Sequence, residues 1–565
     1  MNLNIKAKQN NTYDAIVVGT GISGGWAAKE LTENGLNTLV LERGRDVEHV
    51  KDYPTATLDP WELPNADQVT AEERKHYEKQ MRTGYTIRES TKHWWIKDTD
   101  QPYEEEKRFD WIRGYHVGGR SIMWGRHSYR WSEMDFEANA RDGIAVDWPI
   151  RYADIAPWYD HVESFAGITG EALGLPQLPD GQFLPPMELN CVEEELKSSM
   201  ADNFNRVLTI GRVANLTRPI HGRGQCMHRN LCMRGCPYGA YFSSNASTLP
   251  AAAATGNMTL RPHSIVNSMI YDEESGKATG VTIVDAQTGE MIEFYSKIVF
   301  LNASCVGTTA IMLNSTSDRF PDGFGNDSGE LGRNLMDHHF RTGANGVYDG
   351  YEDKYYWGRR PTGFYIPRYR NLNGNERNYI RGFGYQGSAS REGWQHGVRE
   401  MAIGSELKEL VSAPGQWTIG MTAFGETLPD HENKMYLNHD RTDKWGQPVV
   451  VFDCEFKENE MMMREDMKND AAEMLEAAGA KNVSTYDSIG GPGLGIHEMG
   501  TARMGRDPST SVLGEWNQVH AAPNVFVTDG ACMTSSACQN PSLTYMALTA
   551  RAANYAAEQL KKGDL

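Results

Sequence analysis

From Tyr13 the chain reads YDAIVVGTGISGGWAAKELTENGLNTLVLERG, and the spacing of its apolar positions changes twice within that stretch. Ala15 to Val18 is an unbroken apolar run of strand length. Ile22 to Asn34 carries apolar residues at helical spacing, Gly35 stops it, and Thr38 to Leu41 is a second short apolar run. Runs without polar alternation are the pattern of strands buried on both faces. The unit therefore predicts strand, turn, helix and strand in a parallel sheet covered by helices.

The turn contains G-x-G-x-x-G as Gly19, Gly21 and Gly24. The first glycine permits a tight turn, the second lets backbone approach a pyrophosphate, and the third allows close packing of helix on sheet, with the phosphates over the helix N-terminus. Glu42 ends the second strand. A carboxylate there accepts hydrogen bonds from a ribose 2′-hydroxyl and repels a 2′-phosphate, which favours FAD or NAD over NADP. No second such motif stands at a strand-to-helix junction, so one dinucleotide is expected.

Length and charge narrow the rest. At 565 residues two domains are expected, possibly interleaved. The 75 acidic and 56 basic side chains give a net charge of −19, and no Lys/Arg block offsets it, which argues against nucleic acid as a partner. The opening MNLNIKAKQNNTYDAIVVG lacks the apolar stretch of a secretory signal, so none is expected here. No apolar run is long enough for a membrane span. Eight cysteines are too few for a disulfide scaffold, and Cys191, Cys305 and Cys454 are read as isolated, inert thiols.

Distal segments choose the flavin. These are RGYHVGGRSIMWG (113–125), WPIRYADIAPWYDHVE (148–163), KIVFLNASCVGT (297–308), LGRNLMDHH (331–339), HEMGTARMG (497–505), NVFVTDGACM (524–533) and QNPSLTYMALTARAA (539–553). In this order, over nearly the whole chain, they resemble the glucose-methanol-choline (GMC) flavin oxidoreductases. The resemblance implies an α/β fold with a Rossmann-like FAD-binding domain and an interleaved substrate domain built on a β-sheet with helices. The expected division is 12–50, 110–127, 245–340 and 490–563 for FAD, and 51–109, 128–244 and 341–489 for the substrate domain and a cysteine-bearing insertion. Tyr355, Tyr356 and Trp357 fall in the roofing segment, where they would stack on sugar faces or simply pack. The resemblance also assigns Gly118, Gly119, Ser121, Val266, Asp529 and Pro541 to the flavin. His338 and His339 are read as structural.

Oxidising an alcohol with flavin needs a base for the hydroxyl proton and a partner that holds the oxygen. His497, in H-x-x-G-T-x-x-M-G, matches the first of the family's two active-site positions and is the expected base. Asn540, eleven residues after Asp529, matches the second, in the form resembling sugar-oxidising branches. Some pyranose-oxidising relatives attach FAD through a histidine shortly after the paired glycines. Met123 and Trp124 stand there instead, so FAD is expected to be non-covalent.

CMHRNLCMRGCPYGA (226–240) holds Cys226, Cys232 and Cys236. Three thiolates with His221 or His228 would suit zinc, and free thiols are a further alternative. The Cys236-Pro237 pair instead resembles ferredoxin-type ligation. The segment also resembles the bacterial sugar dehydrogenase large subunits of the family, which implies an iron-sulfur cluster, 3Fe-4S in preference to 4Fe-4S. The implied enzyme is a dehydrogenase, most like the glucoside 3-dehydrogenases, passing electrons to an external acceptor. The alternatives are gluconate 2-dehydrogenase or glucose C1 dehydrogenase, or a catalytically silent flavin-binding subunit. The implied partners are a sugar substrate, a small chaperone-like subunit carrying an export signal, and a cytochrome c. The implied compartment is the periplasm by co-export, with the cytoplasm as the alternative.

Overall fold

The computed structural model describes residues 11–354, 362–372, 374–393, 396–397 and 401–565. The polar opening residues 1–10, and Tyr355, Tyr356 and Trp357, lie outside the described residues.

The predicted strand, helix and strand form as Thr12–Val18, Ile22–Glu33 and Thr38–Leu41. They belong to an eight-stranded sheet whose parallel core runs in the order Ala522–Val527, Met291–Leu301, Thr12–Val18, Thr38–Leu41 and Met258–Arg261. Gln518–Val519 pairs antiparallel at one edge, and Ser264–Asp272 and Lys277–Asp285 continue as an antiparallel meander from Met291–Leu301. Ala15, Ile16, Val17, Ile298, Val299, Phe300 and Val525 are fully buried, as continuous apolar runs require. Helices Ile22–Glu33 and Ser542–Lys562 cover one face through small side chains, among them Ala27, Ala28, Ala552, Ala553 and Ala556. Alanines permit close approach of the helix axes.

The second sheet has six antiparallel strands in the order Lys481–Asp487, His339–Tyr348, Trp417–Gly425, Phe383–Arg391, Phe364–Ile366 and Thr209–Ile210. Its strands alternate. Trp417, Ile419, Met421 and Ala423 point into a core shared with Met463, Met467, Ala471 and Met474 of the helix Glu458–Ala477, and the residues between them face the other way. Among the described residues no helix is long and apolar enough to cross a membrane.

Candidate active site

Between the two sheets lies a cavity of about 690 Å³. Its nucleotide end is built by the glycine turn. Gly19 has φ 96°, and a Cβ there would lie 2.3 Å from the Asn302 carbonyl oxygen. A Cβ on Gly24 would lie 2.0 Å from the Gly19 carbonyl oxygen, so Gly24 serves packing and does not line the cavity. Gly21 has nothing within 4 Å of its absent Cβ and borders the cavity, as a backbone cradle for phosphate requires. Glu42 is buried at the strand end. Its carboxylate accepts from Thr20 N (3.2 Å), Thr20 Oγ1 (2.5 Å) and Gly44 N (2.9 Å), and burial raises its pKa.

Gly119, Ser121 and Val266 line the same cavity, as does Asp529, whose carboxylate accepts from Thr308 Oγ1 at 2.6 Å and is pushed up to about 6 by burial. Gly118 and Pro541 do not line it. Gly118 has φ 91°, a Cβ there would overlap Asn245, and its N–H donates to Thr20 Oγ1 at 2.9 Å, so it closes the turn behind the wall. Pro541 leads into the helix Ser542–Lys562, between two residues that do line the cavity, Asn540 and Ser542. The wall also carries Asn302 Oδ1 and Tyr545 Oη, buried without a partner among the described residues. A glycine cradle at a helix N-terminus, a carboxylate at the second strand end and orphaned polar atoms between them fit a dinucleotide of FAD type.

At the other end the structure brings His497 and Asn540 together, with Asn540 Nδ2 at 3.4 Å from His497 Nε2. Two residues that the sequence did not assign to the site complete the group. Gln386, on the second sheet, donates through Nε2 to Asn540 Oδ1 at 2.7 Å. His338, expected to be structural, sits edge-on to His497 with the two Nδ1 atoms 2.7 Å apart, and its Nε2 bonds the Ala537 carbonyl. That carbonyl can only accept, so His338 Nε2 carries the proton and its Nδ1 is an acceptor. His497 then donates through Nδ1 and presents an unprotonated Nε2 to the cavity. Burial lowers His338 to about 4, and burial together with His338, Arg120 and His127 holds His497 well below the usual histidine value. Both rings are neutral at pH 7.

The loop carrying His497 is clamped by Asp337, whose carboxylate accepts from Gly493 N (2.8 Å), Gly495 N (2.8 Å) and His497 N (2.9 Å). Burial and the neighbouring Glu498 push Asp337 up to about 7. Glu498 in turn pairs with Arg120 at 3.0 Å. Gln386 lies far from both motifs in sequence and had no local signal; His338 had one, its place in LGRNLMDHH, but no spacing that ties it to His497.

Cys226, Cys232 and Cys236 are partly buried free thiols outside the cavity lining. Burial raises Cys226 and Cys236, and the neighbouring thiols add to it. Among the described residues no three His, Cys, Asp or Glu side chains are gathered closely enough to hold a metal ion. The expected cluster ligands thus do not form a ready metal site, and His221 stacks its ring on Phe165. Met233, between Cys232 and Cys236, does line the cavity. Of the thiols read as isolated, Cys305 and Cys454 are buried, whereas Cys191 is partly exposed at the start of the helix Cys191–Phe204.

Family models described as GMC oxidoreductase match residues 13–340 and 429–549. The 2-methyl-1,2-propanediol dehydrogenase of Mycolicibacterium austroafricanum is 29% identical over 96% of this chain and 94% of its own length. The fructose dehydrogenase large subunit of Gluconobacter japonicus is 24% identical over 97% of this chain and 98% of its own. The crystal structure of pyridoxine 4-oxidase from Mesorbium loti superposes with a TM-score of 0.59, covering 97% of this chain and 99% of that one at 15% identity, a likeness of fold. The glycine cradle, the paired His497 and Asn540 and the match of both family segments lead to one conclusion: the chain belongs to the GMC oxidoreductases, FAD-binding enzymes that act on CH–OH donors.

Proposed function

We propose that this enzyme is a dehydrogenase oxidising a secondary ring hydroxyl of a neutral sugar, at C3 of glucosides and disaccharides, to give 3-keto sugars. The observation that carries the reading is the convergence of the unprotonated His497 Nε2 and the Asn540 amide on one point inside the cavity. When bound, FAD supplies the acceptor for the hydride leaving carbon. His497 Nε2 takes the hydroxyl proton. Asn540 holds the oxygen, and Gln386 fixes the Asn540 amide so that its N–H groups face the substrate. His338 keeps His497 in the tautomer that can accept a proton, and Asp337 holds the loop in place. Anaerobic methyl glucoside or lactose should bleach the flavin, and NMR of the product should show the new carbonyl at C3. An aldonic acid or a 2-keto acid as product overturns the assignment of carbon.

The electron path belongs to the same reading. Three thiols within eleven residues, a methionine between them in the cavity wall, and a relative described as a large subunit support an iron-sulfur cluster on Cys226, Cys232 and Cys236, a partner small subunit and a cytochrome-type acceptor. Export to the periplasm with that partner follows from the same resemblance. Because the thiols do not form a ready metal site, ligation requires them to move together. Iron analysis and EPR on anaerobically prepared protein decide the point: a cluster signal supports it, and zinc without iron refutes it.

A further inference from the structure

The face of the six-stranded sheet turned away from the helix Glu458–Ala477 carries a row of side chains of which the catalytic reading uses only Gln386. Along Trp417–Gly425 these are Thr418, Gly420, Thr422 and Phe424. Register places Ser390, Ser388 and Gln386 beside the first three on one neighbouring strand, and Val347 and Asn345 beside Thr418 and Gly420 on the other. Ser484 pairs with Asn345 one strand further out. All of these except Phe424 line an open groove of about 600 Å³.

Two properties of this groove point to a ligand. First, it continues into the active site. Gln386 lines both the groove and the catalytic cavity, Phe424 lines the cavity one step along the same face, and Gln386 is the residue bonded to Asn540. Second, among the described residues its lining contains no charged side chain, on a protein with 131 Asp, Glu, Lys and Arg residues. What it offers is hydroxyl and amide groups on short side chains: Asn345, Ser388, Ser390, Thr418, Thr422 and Ser484. Gly420 keeps it open, since a Cβ there would lie 2.2 Å from Asn345 Oδ1. From Gln386 to Ser390 is four residues of strand, about 13 Å, enough for two linked sugar rings.

We propose that this face is an elongated subsite for the part of the substrate that is not oxidised, and that its ligand is a neutral polyhydroxylated group, the second ring of a disaccharide or glycoside. The proposal rests on the sugar-oxidising reading above and specifies its substrate as larger than one ring. An uncharged lining of hydroxyls and amides exchanges hydrogen bonds with water for hydrogen bonds with sugar at little desolvation cost, whereas a carboxylate or ammonium placed there meets no counter-charge.

The experiment compares lactose with methyl glucoside on the flavin-loaded protein, in the parent and in Ser388→Trp and Thr418→Trp, by calorimetric binding and by the rate of flavin bleaching. Flavin absorbance and Tm establish that each variant is folded and loaded. In the parent, lactose is expected to bind about tenfold more tightly than methyl glucoside, the worth of one or two net hydrogen bonds. In both tryptophan variants that preference is expected to vanish while methyl glucoside binds as before. Equal binding of the two sugars by the parent, or a preference that survives both substitutions, overturns the proposal. So does gluconate binding that is as tight as lactose binding and is lost in the variants, which assigns the face to acids. Failure of the oxidation reading shows separately, as no bleaching by either sugar, and the binding comparison still decides the subsite.

Discussion

The two sheets that enclose the cavity are held in place by different means. The parallel sheet draws its strands from residues 12 to 527, but its cofactor end is specified locally. Its first strand, turn, helix and second strand are contiguous, Gly19 and Gly24 are fixed by overlaps of 2.0 to 2.3 Å with backbone oxygen, and its interior is continuous Val, Ile, Leu and Ala. The antiparallel sheet is specified at a distance. Its strands are drawn from residues 209 to 487, alternate one residue in and one out, and lean on the methionine-rich helix Glu458–Ala477 and on Cys191–Phe204. Cofactor geometry is tied to the first and substrate geometry to the second, so substitutions should divide the same way: those in the parallel sheet abolish the loaded protein, and those near the antiparallel one change only what it oxidises.

The largest effect should come from Gly24→Val. Its side chain cannot be accommodated against the Gly19 carbonyl, so the helix must shift off the strand. Little or no yellow protein is expected, measured as flavin absorbance per chain after purification; a normal flavin ratio breaks the contrast. Next, His497→Ala should keep the flavin spectrum and slow substrate-driven flavin reduction by about 10² to 10⁴-fold. Bleaching at the parental rate removes His497 from the chemistry.

His338→Gln should leave FAD binding intact and slow flavin reduction by about 10-fold or more, because His497 loses the acceptor that fixes its tautomer. The readout specific to positioning is the pH profile. In the parent, neutral His497 is the competent form and its pKa is held well below 6.5, so protonation of His497 should cost no rate near pH 7, and any change there should trace to Asp337, at about 7, and disappear in Asp337→Asn. A halving near pH 7 that survives Asp337→Asn contradicts this. In His338→Gln the point of half-loss on acidification should move. A smaller effect still is expected for Asn540→Ala, which removes orientation and not the proton acceptor: a reduced rate with the parental pH dependence, and a loss smaller than that of His497→Ala. Last, acid or heat denaturation should release all FAD into the supernatant, since Met123 and Trp124 stand at the attachment position shortly after the paired glycines, and the next histidine of this wall, His127, comes only further on. Flavin retained on the precipitated chain refutes non-covalent binding.

How much of this was legible in sequence follows the same division. Gly19, Gly21 and Glu42 announce themselves because a phosphate cradle, a turn and a strand end are problems solved within thirty residues. His497 and Asn540 stand in short motifs whose spacing is fixed by local backbone, and the fold sets them 3.4 Å apart. Gln386 and the polar face around it were invisible, because alternation within a strand does not say which strand pairs with which, and only register brings Gln386 to Asn540. His338 was visible and read as structural, and the fold sets it against His497. A histidine becomes functional here by the atom its other nitrogen touches, and the Ala537 carbonyl lies 199 residues away. The thiols show the converse: crowding in sequence suggested a ligand set, while the fold leaves them near one another without a metal geometry.

The helix Ser542–Lys562 lies against the helix Ile22–Glu33, with Asn34 Nδ2 bonded to Asn554 Oδ1 at 3.1 Å across 520 residues. The strand Ala522–Val527 pairs directly with Met291–Leu301. During synthesis the glycine turn therefore emerges early but has no finished surroundings until the ribosome has passed residue 562. Completion of the FAD site therefore waits on this last helix, and until it docks the first strand and helix expose apolar surface.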